Sequence, residues 1–419
     1  MKNQNNIIDM HQKPIKTKWY LQFLLYLAIP FTMLSYKHKI IKENFKKIKG
    51  GCLVVSNHMS FEDVKFLKRI LNPRRAFFVT SVDEVVFKEK LVRNIGCIPK
   101  KVHYSDMFIV KQIVRLLKEG NIVALYPEAT YSFAGITNMI DQDLGKLAKL
   151  ANVPVVVIHE YGSYLYSPRW NTLPKNKEVP IIAKAKMVVS KEELASTSAD
   201  EIQRRINEYF DYDEYKYQRE NNIRIKNPTK AHNIERILFR CPNCEHEKTI
   251  HGEGNYIICS NCNSKYFIDE LQILHNENGK TVFDSIGTWY SWQRNSVAKD
   301  LSEDNYHLEF PVKISRLINF KEGFDHNFAK GIARQDNHGI VVDGVINATN
   351  EPFHYEYNEK LNQTIHLTFD VKGCQESAFE VHDANESYLV YPLDGTSIVK
   401  IRFAVEEAHK LHIQSIQNK

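Results

Sequence analysis

The sequence predicts an α/β domain, then a small module built on paired cysteines, then a β-rich domain closed by a helix. Three observations carry this prediction. Between Gly51 and about Ile182, strand-like apolar runs such as "CLVVS" and "NIVALYPE" alternate with amphipathic runs such as "FEDVKFLKRIL" and "KQIVRLLKEG", the signature of helices laid on a parallel or mixed sheet. Two Cys-x-x-Cys pairs stand at Cys241, Cys244 and Cys259, Cys262. Beyond Thr281, runs of period-two alternation such as "PVKISRLINF", "GIVVDGVI", "SYLVYPL" and "SIVKIRF" are separated by turn signals.

A chain of 419 residues exceeds what one core organises. The expected divisions are residues 1–50, 51–220, 221–280 and 281–419. A charged content of 25% with 11% aromatic residues excludes wholesale disorder. The net charge of +6 suits an anionic membrane surface or a phosphate-bearing ligand as well as nucleic acid. An odd total of seven cysteines, four of them paired by spacing, indicates free thiols and a metal site rather than a disulfide framework.

The first segment holds the apolar run Trp19 to Tyr36. Lysines follow it where a signal peptide would have small residues, so it is not read as a signal. Pro30, Gln22 and lysines on both flanks argue against a simple span. Ile40, Ile41, Phe45 and Ile48 fall on one face of a helix wheel ringed by lysines. That pattern predicts a helix lying in the membrane interface, and the expected location is the cytoplasmic face of the cell membrane, peripheral or re-entrant.

In the α/β domain, "LVVSNHMSFED" ends a buried strand at Asn57 and His58 and places Asp63 five residues after the histidine. Such spacing is ambiguous. "HGIVVD" sets His338 and Asp343 equally far apart within a strand, where an odd separation points side chains to opposite faces. Ser60 and Asp63 could equally cap a helix. What favours chemistry is position, because His58 and Glu128 both follow strand ends, where α/β sheets gather their sites. Tight turns at the cysteine pairs would let Cys241, Cys244, Cys259 and Cys262 bind one structural zinc ion tetrahedrally, as a zinc ribbon, with His246 and His251 as loop residues. Acidic Glu245, Glu247 and Glu253 among the basic residues of this module, and the absence of a basic-aromatic stripe, argue against nucleic acid as its partner.

Four blocks in order, "NHMSFED", "GCIPKK", "YPEATYS" and "VPVVVI", make residues from about Leu21 to Glu220 resemble the glycerolipid acyltransferase family typified by 1-acylglycerol-3-phosphate acyltransferase. The resemblance implies transfer of an acyl group from acyl-CoA or acyl carrier protein to a lysophospholipid hydroxyl. It implies His58 as general base with Asp63 behind it. Asn57, Gly96, Lys100, Lys101, Glu128, Thr130 and Tyr131 are the implied substrate contacts, the two lysines on the acceptor's phosphate and Glu128 with Thr130 on its hydroxyls. Backbone donors from Asn57 to Ser60 are the expected oxyanion partners. Ala129 and Tyr131 stand where the family has glycine and arginine. The C-terminal domain is expected to form a barrel of the pleckstrin-homology type.

Overall fold

A computed structural model describes residues 12–43, 49–104, 106–173, 175–358, 362–371, 376–383 and 385–417. The α/β region runs α1 (Trp19–Met33), β1 (His38–Glu43), β2 (Cys52–Ser56), α2 (Asp63–Leu71), β3 (Ala76–Ser81), α3 (Glu89–Asn94), β4 (Cys97–Lys100) and α4 (Met107–Lys118). It continues through β5 (Ile122–Leu125), α5 (Leu144–Ala151), β6 (Val155–Tyr161), α6 (Ser163–Tyr166), β7 (Ile181–Val189), α7 (Ala199–Tyr209) and α8 (Glu214–Glu220). Its seven strands are ordered β1-β7-β6-β2-β5-β3-β4, parallel except for the β6–β7 pair. The run Cys52 to Ser56 is buried on both faces, as a central parallel strand covered by helices must be. Because β2, β3, β4, β5 and β6 run the same way, the segments leaving them emerge at one sheet edge.

Over its described residues, up to Glu43, the interfacial helix expected across Ile40 to Ile48 is not formed. His38 to Glu43 instead pairs in parallel with β7 as an edge strand of the sheet, with Ile40 and Ile41 half-buried; Phe45 and Ile48 lie outside the described residues. Ahead of it, α1 docks on α2 through its Met33 end and through Gln22, whose amide donates to Asn72 Oδ1 at 3.2 Å. Its other face leaves Trp19, Phe23, Leu24, Leu27 and Phe31 exposed, Trp19 by 74% and Phe31 by 77%. Among the described residues no helix is long and apolar enough to cross a membrane.

The cysteine module is a five-stranded antiparallel sheet of β8 (Ile250–Glu253), β9 (Tyr256–Cys259), β10 (Lys265–Ile268), β11 (Leu274–Asn276) and β12 (Thr281–Phe283). Residues expected to open the next domain therefore finish this one. The helix α9 (Ile286–Ser302), absent from the sequence expectation, follows on a capping box between Ser285 and Thr288. It ties the module down: Gln293 Oε1 accepts from the Phe239 and Arg240 backbone N–H groups, and Trp289 Nε1 donates to the Arg240 carbonyl.

The remainder comprises β13 (Leu308–Asn319), β14 (Gly323–Asp336), β15 (Gly339–Ile346), β16 (Pro352–Asn358), β17 (His366–Thr368), β18 (Ala378–His382), β19 (Ser387–Pro392) and α10 (Ile398–Gln417). The strands form one antiparallel sheet in the order β16-β15-β14-β13-β19-β18-β17. Tyr355 of β16 donates to the His382 carbonyl of β18 at 2.8 Å, although four strands separate them in the ladder. Strands about 4.8 Å apart could not meet this way in a flat sheet, so the sheet curls strongly. "SIVKIRF", expected as a strand, opens α10, with Ile398, Val399, Ile401, Phe403, Ala404 and Val405 all buried. The same apolar core continues from this domain into the α/β region, where Phe369 packs edge-on against Phe133 at 4.8 Å.

Candidate active site

The chain leaves β2 into a loop fixed from both sides. Asn57 is fully buried and makes a two-way clamp on the neighbouring strand, accepting from the Glu160 N–H at 2.9 Å and donating to the Glu160 carbonyl at 3.2 Å. His58 follows. Its Nδ1 lies 3.0 Å from Asp63 Oδ2, and that same oxygen accepts the N–H groups of Met59 at 2.6 Å and Ser60 at 2.9 Å. The ambiguity of the sequence thus resolves in both directions, since one buried carboxylate gathers the turn before α2 and orients the imidazole. Its other oxygen accepts from Ser163 Oγ at 2.8 Å and Ser60 Oγ at 3.3 Å. With Nδ1 held, Nε2 is the nitrogen left to face a substrate.

The His58 ring is sandwiched between Tyr126, with centroids 3.9 Å apart, and Tyr131, at 3.8 Å. Beyond Tyr131 lies Arg169, whose guanidinium carbon sits 4.6 Å from that ring and 3.7 Å from the ring of Phe61. Among the described residues, the buried Arg169 Nε has no hydrogen-bond partner. Sequence reasoning missed Arg169 because it lies in a loop after α6, outside every motif. Yet it supplies a planar cation beside the residue that stands in for the family's arginine.

Several expected substrate contacts are engaged internally. Glu128 is only 1% exposed. Its carboxyl accepts from the Asn138 N–H at 3.1 Å and from Tyr212 Oη at 3.2 Å. Burial pushes it up to about 7. In the structure this carboxyl ties the loop after β5 to Tyr212, and the Ser132 N–H, donating to the His58 carbonyl at 2.8 Å, joins that loop to the His58 loop. Thr130 is buried, and among the described residues its hydroxyl has no hydrogen-bond partner. Gly96 turns the chain into β4 with φ +91°, and a Cβ there would come within 2.6 Å of the Ala76 carbonyl oxygen, so its glycine is required by the backbone. Ala129 has φ +52°, which explains the family's glycine at that position and leaves the alanine in a conformation costing about 1 kcal/mol.

The two lysines part company. Lys101 Nζ donates to the carbonyls of Asp383 at 2.9 Å and Glu386 at 3.3 Å, on the turn between β18 and β19. It therefore joins the α/β region to the β-rich domain. Lys100 ends β4 at the site edge, where burial lowers its pKa against the opposing pull of Asp141 and Asp106. Three of the expected oxyanion donors are also committed: the N–H groups of Met59 and Ser60 to Asp63, and that of Asn57 to the Ile158 carbonyl at 3.3 Å. The N–H groups of Asn57, Met59 and Ser60 are thus not the oxyanion partners in this geometry.

The cysteines form a separate centre. Cys241, Cys244, Cys259 and Cys262 place their sulfurs within 4.8 Å of one another, with the Cys241–Cys262 and Cys244–Cys259 separations both 3.7 Å. A zinc–sulfur distance near 2.3 Å gives a tetrahedron with edges of about 3.8 Å, so the spacing fits an ion and is far too long for disulfides. Asn243 N–H and Asn261 Nδ2 donate to the sulfurs of Cys241 and Cys244 at 3.4 and 3.5 Å, the contacts that orient and stabilise thiolate ligands.

Residues 37–159 match the family model described as Acyltransferase. This stretch holds His58, Asp63, Gly96, Lys100, Lys101, Glu128, Thr130 and Tyr131; Ser163, Arg169 and Tyr212 lie beyond it. Among solved structures, the chain aligns with the 1-acyl-sn-glycerophosphate (LPA) acyltransferase PlsC from Thermotoga maritima. The two are 18% identical, the alignment covers 48% of this chain and 80% of that one, and the TM-score is 0.39.

Proposed function

We propose that this protein transfers a fatty acyl group from a thioester donor, acyl-CoA or acyl carrier protein, to the hydroxyl of a phosphate-bearing lysophospholipid such as 1-acylglycerol-3-phosphate. The observation that carries the reading is the His58–Asp63 pair at the sheet edge, inside the stretch that matches the acyltransferase model. An alcohol attacks a thioester slowly until its proton is taken, and imidazole does this near neutrality. His58 Nε2 takes the hydroxyl proton as the alcohol oxygen bonds to the thioester carbonyl carbon. The tetrahedral adduct then expels the thiolate as the C–S bond breaks, and the thiolate takes the proton back from His58. Asp63 holds the ring tautomer and stabilises the imidazolium between these steps.

Arg169 supports an acceptor carrying phosphate. One ring removed from His58, it offers the planar fork that suits a phosphate and that a tyrosine at 131 cannot, and Lys100 adds a second charge. Glu128 serves as a positioning residue for the loop after β5, which Ser132 ties to His58. The exposed face of α1 rests the enzyme on the membrane, its docking on α2 setting the apolar surface close to the helix that carries Asp63. Location at the cytoplasmic membrane face, and structural zinc on the four cysteines, belong to the same reading.

The deciding experiment compares acceptors. Wild-type protein and Arg169→Gln are assayed with labelled acyl-CoA against 1-acylglycerol-3-phosphate and a monoacylglycerol. The expected result is a KM for the phosphate acceptor raised about tenfold or more in the variant, ~1.4 kcal/mol of binding, with the monoacylglycerol unaffected. Equal use of both acceptors by wild type and variant would overturn the phosphate-bearing acceptor.

A further inference from the structure

Asp83 lies two residues beyond β3, at the same sheet edge as His58. Facing it from the β-rich domain are His366 on β17 and Glu380 on β18, cross-strand partners in the antiparallel register and therefore on one face of that sheet. One ligand atom from each of the three lies within 4.8 Å of the others. His366 and Glu380 are buried, with Glu380 only 2% exposed. Among the described residues, Asp83 Oδ1, His366 Nδ1 and both oxygens of Glu380 are shielded from solvent without a hydrogen-bond partner. His382, two residues after Glu380, brings its unpartnered Nε2 to 3.7 Å from Glu380 Oε1, and the shielded Nε2 of half-buried His103 is likewise unpartnered among the described residues.

Buried polar groups are paired almost without exception, and each orphan costs about 1–3 kcal/mol. Several orphans converging from two domains require a common partner. Of the nearby cations, Lys101 donates to backbone carbonyls, and Arg402 bonds Tyr290 and lies 3.5 Å from Glu406, its Nε and Nη1 being without a hydrogen-bond partner among the described residues. Two carboxylates can balance a doubly charged ion, and imidazole beside carboxylate favours borderline metals over calcium or magnesium, which take all-oxygen shells. We propose that Asp83, His366 and Glu380 form a divalent-metal site of the zinc and manganese class, distinct from the four-cysteine centre and clamping the β-rich domain onto the active-site edge. Ligand atoms within 4.8 Å need to close by about 1–1.5 Å to reach an ion at 2.0–2.2 Å, a movement that side-chain torsions supply. His382 or His103 can complete the shell.

The test uses the full chain with its cysteine-bound zinc retained and Mn²⁺ as the probe, since thiolate sites disfavour manganese. Calorimetry should find about one Mn²⁺ per chain, competed by added Zn²⁺. Elemental analysis after exposure to Zn²⁺ should find two metals where Asp83→Asn or Glu380→Gln retains one. Mn²⁺ affinity should fall at least about tenfold in either variant, and only wild-type protein should gain thermal stability from Mn²⁺. Should Glu380→Gln fail to fold, Asp83→Asn, on a half-buried turn, and the wild-type stoichiometry still decide. Wild-type protein that takes up no Mn²⁺ or Zn²⁺ beyond one cysteine-bound ion, or a folded variant that binds as wild type does, would overturn the proposal.

Discussion

Replacing Asp63 by asparagine separates the two tasks of this carboxylate. Asp63 Oδ2 accepts from His58, Met59 and Ser60, while Oδ1 accepts from the hydroxyls of Ser60 and Ser163. An asparagine of nearly the same shape can turn its carbonyl oxygen toward the first three groups. Its NH₂ then faces two serine hydroxyls, which can rotate to accept. The fold should therefore lose only about 1–3 kcal/mol, the difference between charge-assisted and neutral bonds at the turn. Catalysis should lose much more, because a neutral amide does not stabilise the imidazolium. A fall in kcat of about 1,000- to 10,000-fold, or ~4–5.5 kcal/mol in the barrier, is expected, with KM little changed. Steady-state turnover beside urea unfolding of the same preparation measures both quantities. A folded Asp63→Asn protein retaining kcat within about tenfold of wild type would refute the assignment of Asp63 as the residue behind the base.

Other outcomes follow from burial and charge. Glu128 has a folded-state pKa near 7 against an ordinary value of 4.5. Its contribution to stability is thus complete below about pH 4.5 and is lost as the pH rises through about 7, up to ~3 kcal/mol in all. Glu128→Gln should flatten the decline in unfolding free energy between about pH 5 and about pH 8; an unchanged slope would show that Glu128 does not titrate in this window. On α1, Phe23→Glu with Phe31→Glu should leave the unfolding midpoint unchanged, since both rings are exposed. The pair should weaken binding to anionic vesicles at least about tenfold, each ring being worth ~1.5 kcal/mol or more when buried in lipid. Unaltered vesicle binding would remove α1 as the anchor.

What the sequence revealed and what it hid divide along contact distance. The His58–Asp63 pair and the cysteine cluster are local devices, built within a few residues or on two tight turns; spacing carries the cysteines, while the pair is legible only with its place after a strand end. His38 to Glu43 was misread because its partner β7 lies well over a hundred residues away, and an amphipathic edge strand with flanking lysines looks like an interfacial helix until that partner is known. "SIVKIRF" has the β-branched content of a strand, but in α10 it is buried nearly all round, so tertiary packing overrides propensity. The inward turn of Glu128 and the engagement of Lys101 by the turn at Asp383 and Glu386 depend on elements far along the chain. Arg169 is the clearest case, since its significance comes only from stacking on Tyr131 and Phe61.

The central claim is acyl transfer with His58 as the base. It is tested most directly by incubating the purified full chain with acyl-CoA or acyl carrier protein loaded with a labelled acyl group, together with 1-acylglycerol-3-phosphate, and following label into the diacyl product. Wild-type protein should form that product, and His58→Ala should form it at least about 100-fold more slowly while unfolding at the same urea concentration. Product formation by folded His58→Ala at the wild-type rate, or none from wild type with either donor, would contradict the account.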